Sequence, residues 1–183
     1  MSYDKNFFYK FIDLPPLPEK FVEECRACDP ERVINASVDR QIRNGDQVYT
    51  NAKLIRSELS DDVYNWINSH GIQGYNDISV QITSGGSTLG PHTDRYRSSQ
   101  IFYLIDTGGP NPETIWYQER DKPLLREKWV LCDSYDRLEV VHRCHLPLYT
   151  WLVFNSSIIH EVTGLTGSRK TLTVSFTDFP ENF

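Results

Sequence analysis

Apolar and polar residues alternate through Ile78, Val80 and Ile82, and this period of two predicts a strand with one buried face. The same texture continues to the end of the chain. Ser99 to Asp106, Glu113 to Gln118, Lys128 to Cys132, Leu138 to His142, Tyr149 to Phe154, Ile158 to Val162 and Arg169 to Thr177 read as further strands. Turn signals separate them: Gly85-Gly86, the run Asp106 to Pro112, Asp133-Ser134, and Gly164 to Gly167. Short strands at this spacing predict an antiparallel sandwich or barrel. A jelly roll of cupin type, a double-stranded β-helix, is the natural candidate.

The N-terminal third has a different pattern. Residues 1 to about 16 read as an extended lead carrying Phe7, Phe8, Tyr9 and Phe11 before Pro15 and Pro16. Pro18 stands where a helix begins, with Phe21, Val22 and Cys25 as its apolar stripe. Residues 29 to 58 keep no sustained period and read as strands and loops. Ser60-Asp61-Asp62 opens a second helix with Val63, Tyr64, Trp66 and Ile67 on its buried face; His70 stands at its end and Gly71 closes it. The expected organisation is one domain over 1–183, with 1–75 as a helical and mixed support packed outside a β core at 76–183.

Composition narrows the classes. Hydrophobic residues make up 39% and aromatic residues 13%, enough for a packed core. The net charge is −6, from 19 basic and 25 acidic residues, which argues against a general nucleic-acid surface. The longest apolar run, Ile101 to Ile105, is far too short to span a bilayer. Met1-Ser2-Tyr3-Asp4-Lys5 leads into no long apolar stretch, so the expectation is a cytoplasmic protein with no membrane partner. The four cysteines, Cys25, Cys28, Cys132 and Cys144, then read as thiols rather than a disulfide framework. Cys25 and Cys28 form a C-x-x-C whose zinc reading needs further ligands from His142, Cys144 and His145; the plainer reading is two thiols on the buried face of a helix.

The chemistry concentrates at Gly90-Pro91-His92-Thr93-Asp94. On an extended segment His92 and Asp94 leave from one face. A further imidazole beside them completes the 2-His-1-carboxylate set that holds non-haem Fe(II), and His160, at the end of the run from Trp151, is the candidate. Arg169 follows on another strand-like run, and a metal with a basic residue beside it suggests an anionic co-substrate. A zinc-protease reading fails, because Gly164 stands where His160-Glu161 requires a second histidine.

These residues resemble the Fe(II)/2-oxoglutarate-dependent dioxygenase superfamily of prolyl, aspartyl and asparaginyl hydroxylases. His92-Thr93-Asp94, then His160, then Arg169 follows its H-x-D, distal His and basic-residue order. Ile82 to Pro91, Pro112-Glu113-Thr114, and Phe154-Asn155-Ser156-Ser157 before His160-Glu161-Val162 also resemble family stretches, and the likeness covers roughly residues 76 to 178. It implies Fe(II), 2-oxoglutarate and O2 as cofactor and co-substrates, with His92, Asp94 and His160 as metal ligands. Arg169, in Gly167-Ser168-Arg169, then pairs with the far carboxylate of 2-oxoglutarate through its planar fork. Thr171 shares the strand face of Arg169 and can add a hydrogen bond, whereas Lys170 points the other way and replaces Arg169 only if the register slips by one. Tyr103 reads either as another co-substrate contact or as a core aromatic. Asp94 favours hydroxylation over halogenation, since halogenating members carry a small residue there.

Two other readings compete: a cupin-like metal-binding protein without turnover, and a metal oxygenase or isomerase that uses no 2-oxoglutarate. The substrate stays open between a small molecule and an amino-acid side chain in a peptide or protein. Trp116, Tyr117 and Trp129 line either a substrate groove or the core. Oligomeric state leaves no mark on the sequence.

Overall fold

The computed structural model describes residues 7–28, 42–44, 47–49, 59–83, 90–94, 97–120 and 135–180. Two antiparallel sheets and two helices account for most of them. The strands are β1 (Tyr9–Phe11), β2 (Ile42–Asn44), β3 (Gln47–Tyr49), β4 (Asp77–Thr83), β5 (Ser99–Thr107), β6 (Glu113–Glu119), β7 (Leu138–Cys144), β8 (Trp151–Asn155), β9 (Ile159–Thr163) and β10 (Arg169–Phe176). The helices are α1 (Glu19–Ala27) and α2 (Asp61–Ser69). The larger sheet runs β1-β8-β5-β10-β4 and the smaller β7-β6-β9, while β2 and β3 pair with each other.

Each face of the larger sheet has its own partner. Ile78, Val80 and Ile82 of β4, Ile101, Tyr103 and Ile105 of β5, Trp151 and Val153 of β8, and Leu172, Val174 and Phe176 of β10 pack with Phe21, Val22 and Cys25 of α1 and Val63 and Ile67 of α2. Both helices therefore lie on this face of the larger sheet. The opposite face presents Phe102, Leu104, Leu152 and Phe154 to Trp116 of the smaller sheet, and this apolar layer joins the two sheets. Burying a side chain of this size stabilises by about 1.5–3 kcal/mol.

Several boundaries differ from the expectation. Tyr9–Phe11 is not merely an extended lead: it is an edge strand, with Tyr9 opposite Phe154 and Phe11 opposite Leu152. β8 begins only at Trp151, because Tyr149 takes a positive φ of 56° that no strand accommodates. Ser60 does stand at the N-cap of α2, but its hydroxyl donates to Glu24 of α1 at 2.8 Å instead of capping the helix. His70 forms the C-cap of α2, where Gly71, at φ 77°, ends the helix. The C-x-x-C lies at the buried end of α1, and Cys25 and Cys28 are free thiols. Their zinc partners do not assemble: His142 stacks on Phe8 at 5.0 Å and His145 bonds the Pro112 carbonyl through Nδ1. The strand expected over Lys128 to Cys132, with Trp129, lies outside the described residues. No helix among those described is long and apolar enough to cross a membrane.

Candidate metal centre

Backbone pairing assembles the site. His92 forms an isolated antiparallel bridge with His160, its N–H donating to the His160 carbonyl at 2.9 Å and its carbonyl accepting from the His160 N–H at 2.8 Å. Asp94 N–H donates to the Ser156 carbonyl at 3.0 Å. The H-x-D segment is thereby laid along the start of β9 and the turn before it, so residues far apart in sequence meet.

The side chains are oriented as finely as the backbone. His92 Nδ1 lies 2.9 Å from the Gly90 carbonyl and His160 Nδ1 lies 2.8 Å from the Ile158 carbonyl. A carbonyl only accepts, so each Nδ1 carries the proton and each Nε2 keeps its lone pair. His92 Nε2 lies 3.9 Å from Asp94 Oδ1, and one ligand atom from each of His92, Asp94 and His160 falls within 4.8 Å of the others. Imidazole and carboxylate bonds to a divalent metal run to roughly 2.0–2.2 Å, so ligand atoms this close to one another could share one ion. Among the described residues, this is the grouping of histidine, cysteine and carboxylate that could hold an ion.

Electrostatics keep the set ready to ligate. Burial lowers the pKa of His92, and burial together with the neighbouring His92 takes His160 down to about 3, so both rings are neutral across the physiological range. Burial alone would raise Asp94, but the Arg97 guanidinium and the two imidazoles hold it below the usual carboxylate range. Phe154 meets the His160 ring edge-on at 4.8 Å and limits its rotation.

Arg169 opens β10, opposite Thr83 of β4 and Thr107 of β5. Leu172, Val174 and Phe176 turn toward the helices, so Arg169, Thr171, Thr173 and Ser175 face the smaller sheet. Lys170 goes the other way and its Nζ donates to the carbonyls of Arg26, and of Cys28 at 2.9 Å, at the end of α1. Burial lowers the Arg169 pKa to about 10, the neighbouring Cys144 is itself held as a neutral thiol by burial, and no carboxylate among the described residues pairs with Arg169. A turn fixes its position: Gly108 takes a φ of +77°, and its carbonyl receives the N–H groups of Thr166 at 2.8 Å and Gly167 at 2.7 Å.

Tyr103 is not brought to this face. It is 2% exposed, on the helix side of β5, and its ring packs 4.8 Å from Trp151. The sequence reading missed Arg97, whose Nε donates to Asp94 Oδ2 at 2.7 Å. A basic residue three positions after the acidic one was the available signal. Trp116 and Tyr117 separate to opposite faces of β6, Trp116 between the sheets and Tyr117 donating to the buried Glu161 carboxylate.

Fold and site together define a mainly β protein of two antiparallel sheets with a candidate His–Asp–His metal site between them. No family model and no curated protein matches the chain. Among solved structures it is similar to ycfD of E. coli, at 15% sequence identity and a TM-score of 0.37 over 59% of this chain. The match spans only 27% of that protein's length.

Proposed function

We propose that this chain is a single-domain non-haem iron oxygenase, built on a double-stranded β-helix, that couples oxidative decarboxylation of 2-oxoglutarate to hydroxylation of a substrate C–H bond. One observation carries the reading. Two imidazoles, His160 buried and His92 half-buried, each with Nδ1 committed to a carbonyl and Nε2 free, share a site with a carboxylate oxygen within 4.8 Å. This donor set suits divalent iron and leaves coordination positions open.

Iron held there would supply the activation of O2, one oxygen atom ending in succinate as 2-oxoglutarate loses carbon dioxide and the other in the substrate hydroxyl. The chain's own residues bind and orient. His92, Asp94 and His160 take the metal on one side. Arg169 offers a guanidinium with no carboxylate partner among the described residues, and Thr171 a hydroxyl on the same strand face, to the far carboxylate of the co-substrate. Phe154 and Trp116, packed together 5.3 Å apart beside His160, keep that side of the site dry. The substrate is a small molecule or a peptidyl side chain.

Anaerobic titration of the Fe(II)-loaded protein with 2-oxoglutarate tests the proposal. A weak visible charge-transfer band that saturates at one equivalent is expected, followed by succinate release on admitting oxygen. Bound iron with no band and no succinate would leave a metal-binding β protein without this turnover.

The turn at Gly108 gives a more selective prediction. A Cβ added there would sit 2.8 Å from Arg169 N and 2.9 Å from Arg169 Cβ, on a backbone with φ +77°. Gly108→Ala is expected to cost at least about 1 kcal/mol of stability. It should also weaken 2-oxoglutarate binding while metal affinity, measured by calorimetry with Mn(II), stays at the wild-type value.

A further inference from the structure

We propose that Arg97 is the positioning residue of the metal centre, holding Asp94 by one carboxylate oxygen so that the other is presented to the ion. The inference rests on the metal-dependent reading above and deepens it.

A carboxylate can ligate through either oxygen or through both. In this site the choice is already made. Arg97 Nε donates to Asp94 Oδ2 at 2.7 Å, and Oδ1 is left on the side of His92 Nε2 at 3.9 Å. The Arg97 and Asp94 side chains are only 13% and 14% exposed, so the pair is shielded and short, unlike the weak ion pairs of open surfaces.

Arg97 is itself held against swinging away. Its Nη1 donates to Ser175 Oγ of β10 at 3.2 Å. Its Nη2 faces the Gln81 amide of β4, whose oxygen comes to 3.1 Å in the orientation that satisfies both ends. Ser98, the next residue, donates its N–H to the Phe176 carbonyl at 3.0 Å. The guanidinium fork thus ties the carboxylate to two strands of the larger sheet, while Asp94 N–H is fixed separately on Ser156. Lysine has no fork and cannot satisfy Asp94, Ser175 and Gln81 together.

Charge and positioning predict opposite signs, and this makes the proposal testable. As a bare positive charge, Arg97 repels the metal, so its removal would tighten binding. As a positioning group it raises affinity, so its removal weakens binding, on the order of 10- to 100-fold as for other groups that orient metal ligands.

The test is calorimetric titration of the full chain with Mn(II), comparing wild type with Arg97→Gln, Arg97→Lys, Ser175→Ala and His160→Ala. Electron paramagnetic resonance of the bound ion reads the coordination itself. Arg97→Gln is expected to weaken Mn(II) binding and alter the spectrum, Arg97→Lys to weaken it despite the retained charge, and Ser175→Ala to act less strongly in the same direction. If Arg97→Gln fails to fold, Arg97→Lys and Ser175→Ala decide by the same criterion. Wild-type or tighter Mn(II) binding in the Arg97 variants, with His160→Ala defective, overturns the inference and leaves the metal centre standing. A wild type that binds no Mn(II), or binds it independently of His160, removes the metal centre itself.

Discussion

Replacing His160 by alanine is expected to weaken divalent-metal binding by more than about 100-fold, beyond the loss typical of groups that merely orient a ligand, and to abolish turnover. The imidazole is 6% exposed, with its Nδ1 proton on the Ile158 carbonyl, so Nε2 can face only the site. Among the described residues packed against it, Trp116, opposite it on β6, and Phe154, against its ring, have no ligand atom to offer in its place. The same change removes volume beside those aromatics and leaves the Ile158 carbonyl without its donor, costing about 2 kcal/mol. Metal affinity must therefore be measured well below the variant's lowered Tm. Calorimetric titration with Mn(II) decides, and wild-type affinity in a folded His160→Ala protein would remove this residue from the site.

The sequence reveals this architecture wherever one face of an element differs from the other. Ile78, Val80 and Ile82 alternate with polar neighbours because only one face of β4 packs on the helices, and the strand is legible at once. Arg169 and Lys170 are sorted to opposite faces by the same period, and the structure places them so: Lys170 on the α1 carbonyls, Arg169 between the sheets. The triad was legible for another reason, since two ligands share a short motif and the third ends a strongly apolar run.

Where both faces are covered, the pattern carries no direction. Ser99 to Ile105 is buried throughout, so nothing in its hydropathy says that Tyr103 joins Ile101 and Ile105 under the helices while Phe102 and Leu104 face Trp116. Tyr9–Phe11 escaped notice because its partner is β8, far along the chain, and only that pairing makes it a strand. Tyr149 escaped because a tyrosine with positive φ announces itself by no local signal. Arg97 is the costliest omission. Its tie to Asp94 depends on Ser175 and Gln81 arriving from β10 and β4, and this convergence exists only in the fold.

Arg169→Met and Lys170→Met should have opposite effects on stability and ligand binding. In the free protein Arg169 is a half-buried, partly desolvated cation with no carboxylate partner among the described residues, so a methionine of similar length relieves part of that desolvation and leaves the Tm unchanged or slightly raised. The cost falls on the co-substrate. A guanidinium–carboxylate pair makes two charge-assisted bonds, each about 1.5–3 kcal/mol. Losing it weakens 2-oxoglutarate binding by roughly 100- to 20,000-fold, with Mn(II) affinity intact. Lys170 binds two carbonyls at the end of α1, and methionine leaves both without that donor, lowering the Tm while 2-oxoglutarate affinity stays near wild type. Thermal melts with and without 2-oxoglutarate, together with titration of the Fe(II)-loaded variants, read both effects. If the affinity loss fell on Lys170 and the stability loss on Arg169, the strand would present the other face to the ligand, and the assignment of β10 to the co-substrate would have to be redrawn. If neither variant changed 2-oxoglutarate binding, the anion would be held elsewhere, and Arg169 would be a half-buried cation without a ligand.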